Sequence, residues 1–161
     1  MNIHMIIEGQ NQGLISQACS VKEGREDTCE VFNLEQLVQI PWNEQDGRAQ
    51  GSRLHRPVAI LKAIDRASPM LANALVTNEL LTITFNFYRF APSGGAEEHF
   101  FTIVLEEANL VSYKAELPFT KGVDTKDLPP MERFDASFTT ITTTFEPDGI
   151  VFTDSWKKPL S

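Results

Sequence analysis

The stretch SRLHRPVAILKAIDRASPML, residues 52–71, sets Ser52, His55 and Asp65 near one another in sequence. Those residue types could supply a nucleophile, a general base and an orienting carboxylate, which makes a hydrolase the first chemistry to weigh. An α/β-type serine hydrolase would show G-x-S-x-G at a strand-to-helix turn. Here Gly51-Ser52 runs into Arg53-Leu54, and no supporting motif follows. Ser52 and His55 therefore read as loop residues, with a Ser52–His55–Asp65 hydrolase kept as the alternative.

Other chemistries fare no better. His4, His55 and His99 show neither H-E-x-x-H nor H-x-H spacing, so no metal site is indicated, and each reads as a partly exposed polar residue or a satisfied hydrogen bonder. The acidic run holding Glu23, Glu26, Asp27 and Glu30 lacks the alternating oxygen ligands and central glycine of a calcium loop. Neither glycine-rich phosphate motif occurs, and no cofactor is expected. Glu106 and Glu107 are adjacent on an expected strand, which would send them to opposite faces and deny them a joint acid–base role. Cys19 and Cys29, ten apart without C-x-x-C, read as free thiols in a reducing compartment.

The elements that would position these residues are mainly strands. In LLTITFNFYRF, Leu81, Ile83, Phe85 and Phe87 alternate with Thr82, Thr84, Asn86 and Tyr88. A turn cluster, Pro92-Ser93-Gly94-Gly95, leads to a second alternating run with Phe101, Ile103 and Leu105 on one face, so the pair predicts a hairpin. Phe134, Ala136 and Phe138 are at even positions but Ile141 and Phe145 at odd ones, which predicts a bulge. Pro147-Asp148-Gly149 predicts a turn into a last strand carrying Ile150, Phe152 and Trp156 on one side.

Phe32, Leu34, Val38 and Ile40 share parity and suggest another strand, although Gln36 leaves a helix open. Val58 to Leu61 predicts a strand, Lys62 to Arg66 a polar corner, and Ser68-Pro69 a cap and first turn for a short helix bearing Leu71, Ala74 and Leu75. At the corner Asp65 can accept backbone hydrogen bonds, and Lys62 can pair with an acidic neighbour. The expected fold is mainly antiparallel β with one short helix joining strands, either a barrel or a two-sheet sandwich, in one domain over 1–161. Residues 41–57 and 112–132 interrupt it as long irregular stretches, and the first would be exposed and able to reach another subunit.

Charge and length bound the partners. A net charge of −8 without a basic cluster argues against nucleic acid. Apolar runs fall far short of the about 20 residues that cross a bilayer, so no membrane insertion is expected. The N-terminus MNIHMIIEGQ lacks the features of a secretory signal.

Within this frame the sequence resembles the haemolysin-coregulated proteins (Hcp), which form the inner tube of the type VI secretion system. The matching words, in order, are QGLIS at 12–16, His55-x-Pro57, Lys62-x-Ile64-Asp65-x-x-Ser68-Pro69-x-Leu71, FNFYR at 85–89 and TDSW at 153–156. The resemblance implies a compact antiparallel β-barrel of two sheets with one short flanking α-helix, a non-enzymatic subunit that forms a hexameric ring stacking into a hollow tube. It implies as partners a spike protein, a contractile sheath and effector proteins carried in the lumen. It also implies cytoplasmic assembly, then secretion without a signal peptide. No appended effector domain is expected, because only KKPLS follows Trp156. Asp46, Arg48, Arg53, His55 and Arg56, in the first irregular stretch, are the candidate subunit or ring-stacking contacts.

Overall fold

The computed structural model describes residues 1–124 and 126–156. Twelve strands and one helix occur among them: β1 (Asn2–Gly9), β2 (Gly13–Leu14), β3 (Cys29–Val31), β4 (Asn33–Glu35), β5 (Val38–Gln39), β6 (Leu54–His55), β7 (Val58–Ala63), α1 (Ser68–Val76), β8 (Leu81–Phe90), β9 (Glu97–Glu116), β10 (Met131–Ser137), β11 (Thr140–Phe145) and β12 (Ile150–Ser155).

The hairpin predicted from alternation is present as β8–β9, with Leu81, Ile83, Phe85, Ile103 and Leu105 buried. Gly94 and Gly95, at φ 85° and 96°, supply the left-handed backbone its turn needs. Beyond Leu105 the second strand does not end. The register against β8 shifts at residues 106–107, where Glu107 adopts φ 49°. Alternation fails there, so Glu106 and Glu107 are both exposed and do not divide between two faces. β9 pairs with β8 and β11 up to this bulge and, after one last pair of Ala108 with Leu81, with β10.

All pairings are antiparallel, in the order β2-β1-β8-β9-β10-β7-β4, with β11 and β12 branching from β9. Residues 29–35 join the two ends: β3 pairs with β1, β4 with β7, and the Phe32 N–H between them donates to the Leu61 carbonyl. The strands thus bend round one core, filled by fully buried Met5, Ile7, Ile60, Ile83, Phe85, Leu105 and Phe134. The helix closes it with Leu71 and Ala74. The expected mainly β, antiparallel fold with one short helix is the one observed.

Several local expectations are corrected. The parity change after Phe138 is no bulge but a crossing, since β10 pairs with β7 and β9 whereas β11 pairs with β9 and β12; a register shift does occur earlier, between Asp135 and Ala136. The run 32–40 is neither one strand nor a helix. It supplies β4 and β5, and of its apolar residues only Leu34 packs on the core while Phe32, Val38 and Ile40 are exposed.

Lys62 belongs to β7 and not to a corner, because Val58, Ile60 and Lys62 share the inward face. Ser68 is buried and opens the helix without capping it: its hydroxyl accepts from the Asp65 N–H at 2.9 Å. The second irregular stretch shrinks to 117–130, as β9 runs through Glu116 and β10 starts at Met131. β12 forms as predicted, but Ile150, Val151 and Phe152 are all exposed, leaving Trp156 alone among the named apolar residues against the core.

Candidate functional site

The stretch 41–57 is a folded-back hairpin. β5 and β6 pair, Trp42 bridges Ala49, and backbone bonds from Arg56 N–H to Leu37, Gln50 N–H to Pro41 and Asn43 N–H to Arg48 zip its length. Gly47 at φ 69° turns the tip, where the Asp46 carboxylate accepts from the Arg48 N–H at 3.0 Å. Doubling back leaves about half the reach of an extended chain. Asp46-Gly47 is a turn signal that sequence reading passed over.

Asp46, Arg48 and Arg56 are exposed along this hairpin, beside Trp42 at 62% exposure. Arg53 and His55 are not on the exposed surface that was expected. Both turn inward at the hairpin's root onto buried Asp154 of β12. Arg53 Nε and Nη2 donate to the two carboxylate oxygens at 2.5 Å each, and His55 Nε2 stands 2.8 Å from Oδ2. The Arg53 bonds hold the Asp154 carboxyl well below the usual range, burial opposes them, and His55 adds to them. The His55 ring meets Phe138 edge-on at 5.3 Å and lies 6.1 Å from Trp156, so the root is an ion pair walled by aromatics.

A second polar cluster is sealed inside the core. Lys62 on β7 faces Glu132 on β10 in register, and neither is exposed. Lys62 Nζ lies 2.5 Å from Glu132 Oε1 and 2.8 Å from Asp65 Oδ1, while Tyr113 donates to Glu132 Oε2 at 2.5 Å. Burial alone would lower the Lys62 pKa, but Asp65 and Glu132 outweigh it and hold it above its ordinary value. Burial, with Glu132 beside it, pushes Tyr113 up to about 12. Lys62 thus finds its acidic partners within the subunit, and Asp65 accepts a backbone bond as expected, from the Ala67 N–H at 2.9 Å.

Ser52, His55 and Asp65 are not joined. His55 engages Asp154, Asp65 engages Lys62 and Ala67, and exposed Ser52 hydrogen-bonds to neither. Of the histidines, His4 is a buried hydrogen bonder, 2.9 Å from the Thr28 hydroxyl, and exposed His99 lies 2.8 Å from that of Thr102. An open cleft of about 370 Å³ sits at the surface, bordered by Glu8, Gly9, Thr82 and Glu107. Asp154 and Glu132 went unnoticed in the sequence as site residues. Two signals were available: Asp154 lies in the TDSW word, and Glu132 shares parity with Phe134 and Ala136.

With this geometry in hand, the chain matches the family described as "Type VI secretion system effector, Hcp" over residues 16–145. It is 33% identical to the "Major exported protein" of Pseudomonas aeruginosa, covering 98% of this chain and 96% of the relative. A crystal structure of an Hcp protein superimposes with a TM-score of 0.90 at 29% identity, covering 98% of each chain. The secreted protein Hcp3 from Pseudomonas aeruginosa gives 0.79 at 32% identity, covering 96% of this chain and 99% of that one. The chain belongs to the Hcp family of type VI secretion system proteins.

Proposed function

We propose that this chain is a structural, non-enzymatic subunit of the type VI secretion tube. It forms hexameric rings that stack into a hollow tube and carry effector proteins. The tube is built in the cytoplasm, engages the spike and the contractile sheath, and is exported. The observation that carries this reading is β12, which pairs only with β11 among the described residues. Ile150, Val151 and Phe152 are consecutive, so they face both sides of the strand, yet all three are more than half exposed. An apolar edge uncovered on both faces is a template for another chain, which a lone soluble subunit would avoid.

A closed ring needs head-to-tail contacts, and stacking needs a second, separate surface. The hairpin 37–56 supplies the second: exposed Asp46, Arg48 and Arg56 are the stacking contacts, while Arg53 and His55 fix its root. A filled interior supports the tube over a barrel-type small-molecule binder, since the core leaves its space to large side chains. Native mass spectrometry with negative-stain microscopy tests the reading. Six-membered rings of the 18.1 kDa chain are expected; monomers alone at micromolar concentration would overturn it.

A further inference from the structure

We propose that Cys19 and Cys29 are a covalent modification site, a dithiol that a low-molecular-weight disulfide converts into an intramolecular Cys19–Cys29 disulfide. The two sulfurs and a carboxylate oxygen of Asp65 all lie within 4.8 Å of one another. Cys29 is fixed on β3 opposite Met5 and fully buried, whereas Cys19 is partly exposed. One thiol therefore meets solvent and the other waits behind it.

The chain between them is folded without help from the sulfurs. The Ser16 hydroxyl accepts from the Ile7 N–H and donates to the Asp27 carbonyl, and the Asp27 carboxylate accepts from the Ala18 N–H at 2.9 Å. Across the loop Ser20 N–H donates to Glu26 at 3.1 Å, and the Thr28 hydroxyl donates to Arg25 at 2.7 Å. The loop ends are thus held together already, and closure has to bring sulfurs that lie within 4.8 Å to the about 2.05 Å of a disulfide.

A metal fits less well. The Asp65 Oδ1 atom already accepts from Lys62 and from the Ala67 N–H, and the buried ammonium beside it opposes an incoming cation. Two sulfurs remain, fewer than the three or four ligands a zinc site uses.

The order of attack follows from the surroundings. Burial pushes both thiols up, Cys29 the further, but a hydrogen bond from the Cys29 thiol favours the Cys19 thiolate. Cys19 loses its proton to solvent and its thiolate attacks the small disulfide, expelling one thiolate, which takes up a proton. Cys29 gives its proton to solvent, and its thiolate attacks the Cys19 sulfur of the mixed disulfide, breaking the bond to the small molecule and expelling a second thiolate, which takes up a proton from solvent. Two protein thiols and one disulfide become one protein disulfide and two small thiols, so atoms and electrons balance. The chemistry is independent of ring formation; only its setting, a chain that leaves a reducing compartment, rests on the proposed export.

The test incubates the reduced, assembled protein with oxidised glutathione at about pH 9, where the raised thiols begin to yield thiolate, and quenches with iodoacetamide. Intact and peptide mass spectrometry read the thiols, and native mass spectrometry of the same sample reads the oligomer. Expected are a loss of about 2 Da, a peptide pair joined through Cys19 and Cys29, and reversal by dithiothreitol. Cys19→Ser abolishes that product. Two thiols that still alkylate, a mixed disulfide on Cys19 that never closes, or a disulfide-linked dimer would overturn the proposal. So would stoichiometric zinc held by the reduced protein and lost in Cys19→Ser. Monomers in the native spectrum alongside a closed disulfide would count against the tube reading alone.

Discussion

His55 Nε2 stands 2.8 Å from Asp154 Oδ2, joining the root of a projecting hairpin to the C-terminal strand across 99 positions of sequence. Arg53 grips the same carboxylate through both of its oxygens, so the hairpin's orientation depends on one buried aspartate.

Asp154→Asn tests that dependence. Losing the charge removes the anion that Arg53 Nε and Nη2 both engage, so the variant should unfold at lower urea concentration than wild type. The folded Asp154 pKa is depressed, so its contribution is fully present above the unfolded carboxylate range and fades as pH falls through the folded value. Wild type should therefore lose more stability than Asp154→Asn on acidification below about pH 4. Parallel acid profiles would show that the pair contributes nothing.

The buried Lys62 predicts an alkaline limit. Lys62→Met strands Glu132 in the core and should cost about 3–5 kcal/mol, and adding Glu132→Gln should restore much of it. Both the Lys62 and Tyr113 pKa values are raised in the fold. Raised values mean stability complete below the unfolded pKa and lost as pH climbs through the folded one, so decline should begin near pH 10. Circular dichroism across pH 8 to about 12 reads it, and a flat profile would contradict the assignment.

At the β12 edge, Phe152→Ser removes an exposed ring from a strand that pairs only with β11 among the described residues. Monomer stability should change by no more than about 0.5 kcal/mol, as at other surface sites. Ring mass in native spectra should be lost or sharply reduced. Intact rings would place the subunit contact elsewhere.

Each subunit carries a net −8, so rings stacked as proposed would repel at long range, while the proposed contacts Asp46, Arg48 and Arg56 would act only at close approach. Light scattering from purified rings should rise as salt goes from about 20 mM to about 300 mM, because the Debye length shrinks from about 20 Å to under 10 Å. Dissolution of stacks by salt would instead make local ion pairs dominant.

The β8–β9 hairpin was legible because one buried and one wetter face leave a period of two in Leu81, Ile83 and Phe85. The same rule failed in the run 32–40, where exposed Phe32, Val38 and Ile40 carry an apolar pattern that the isolated fold does not bury. An apolar residue meant for a neighbour and one meant for the core look alike in a single chain. At the site, the motif words marked His55, Lys62, Asp65 and the TDSW segment, but not which of them pair.

Alternation, turn residues and charge by themselves determined a mainly β, acidic chain, because these are local properties of neighbouring side chains. Only the tertiary structure decided that Lys62 and Glu132 meet inside the core, that Arg53 and His55 share Asp154, and that Cys19 lies beside Cys29. Those pairings are set by strand register and loop closure, which bring distant residues within a few ångströms and leave no periodic trace in the sequence.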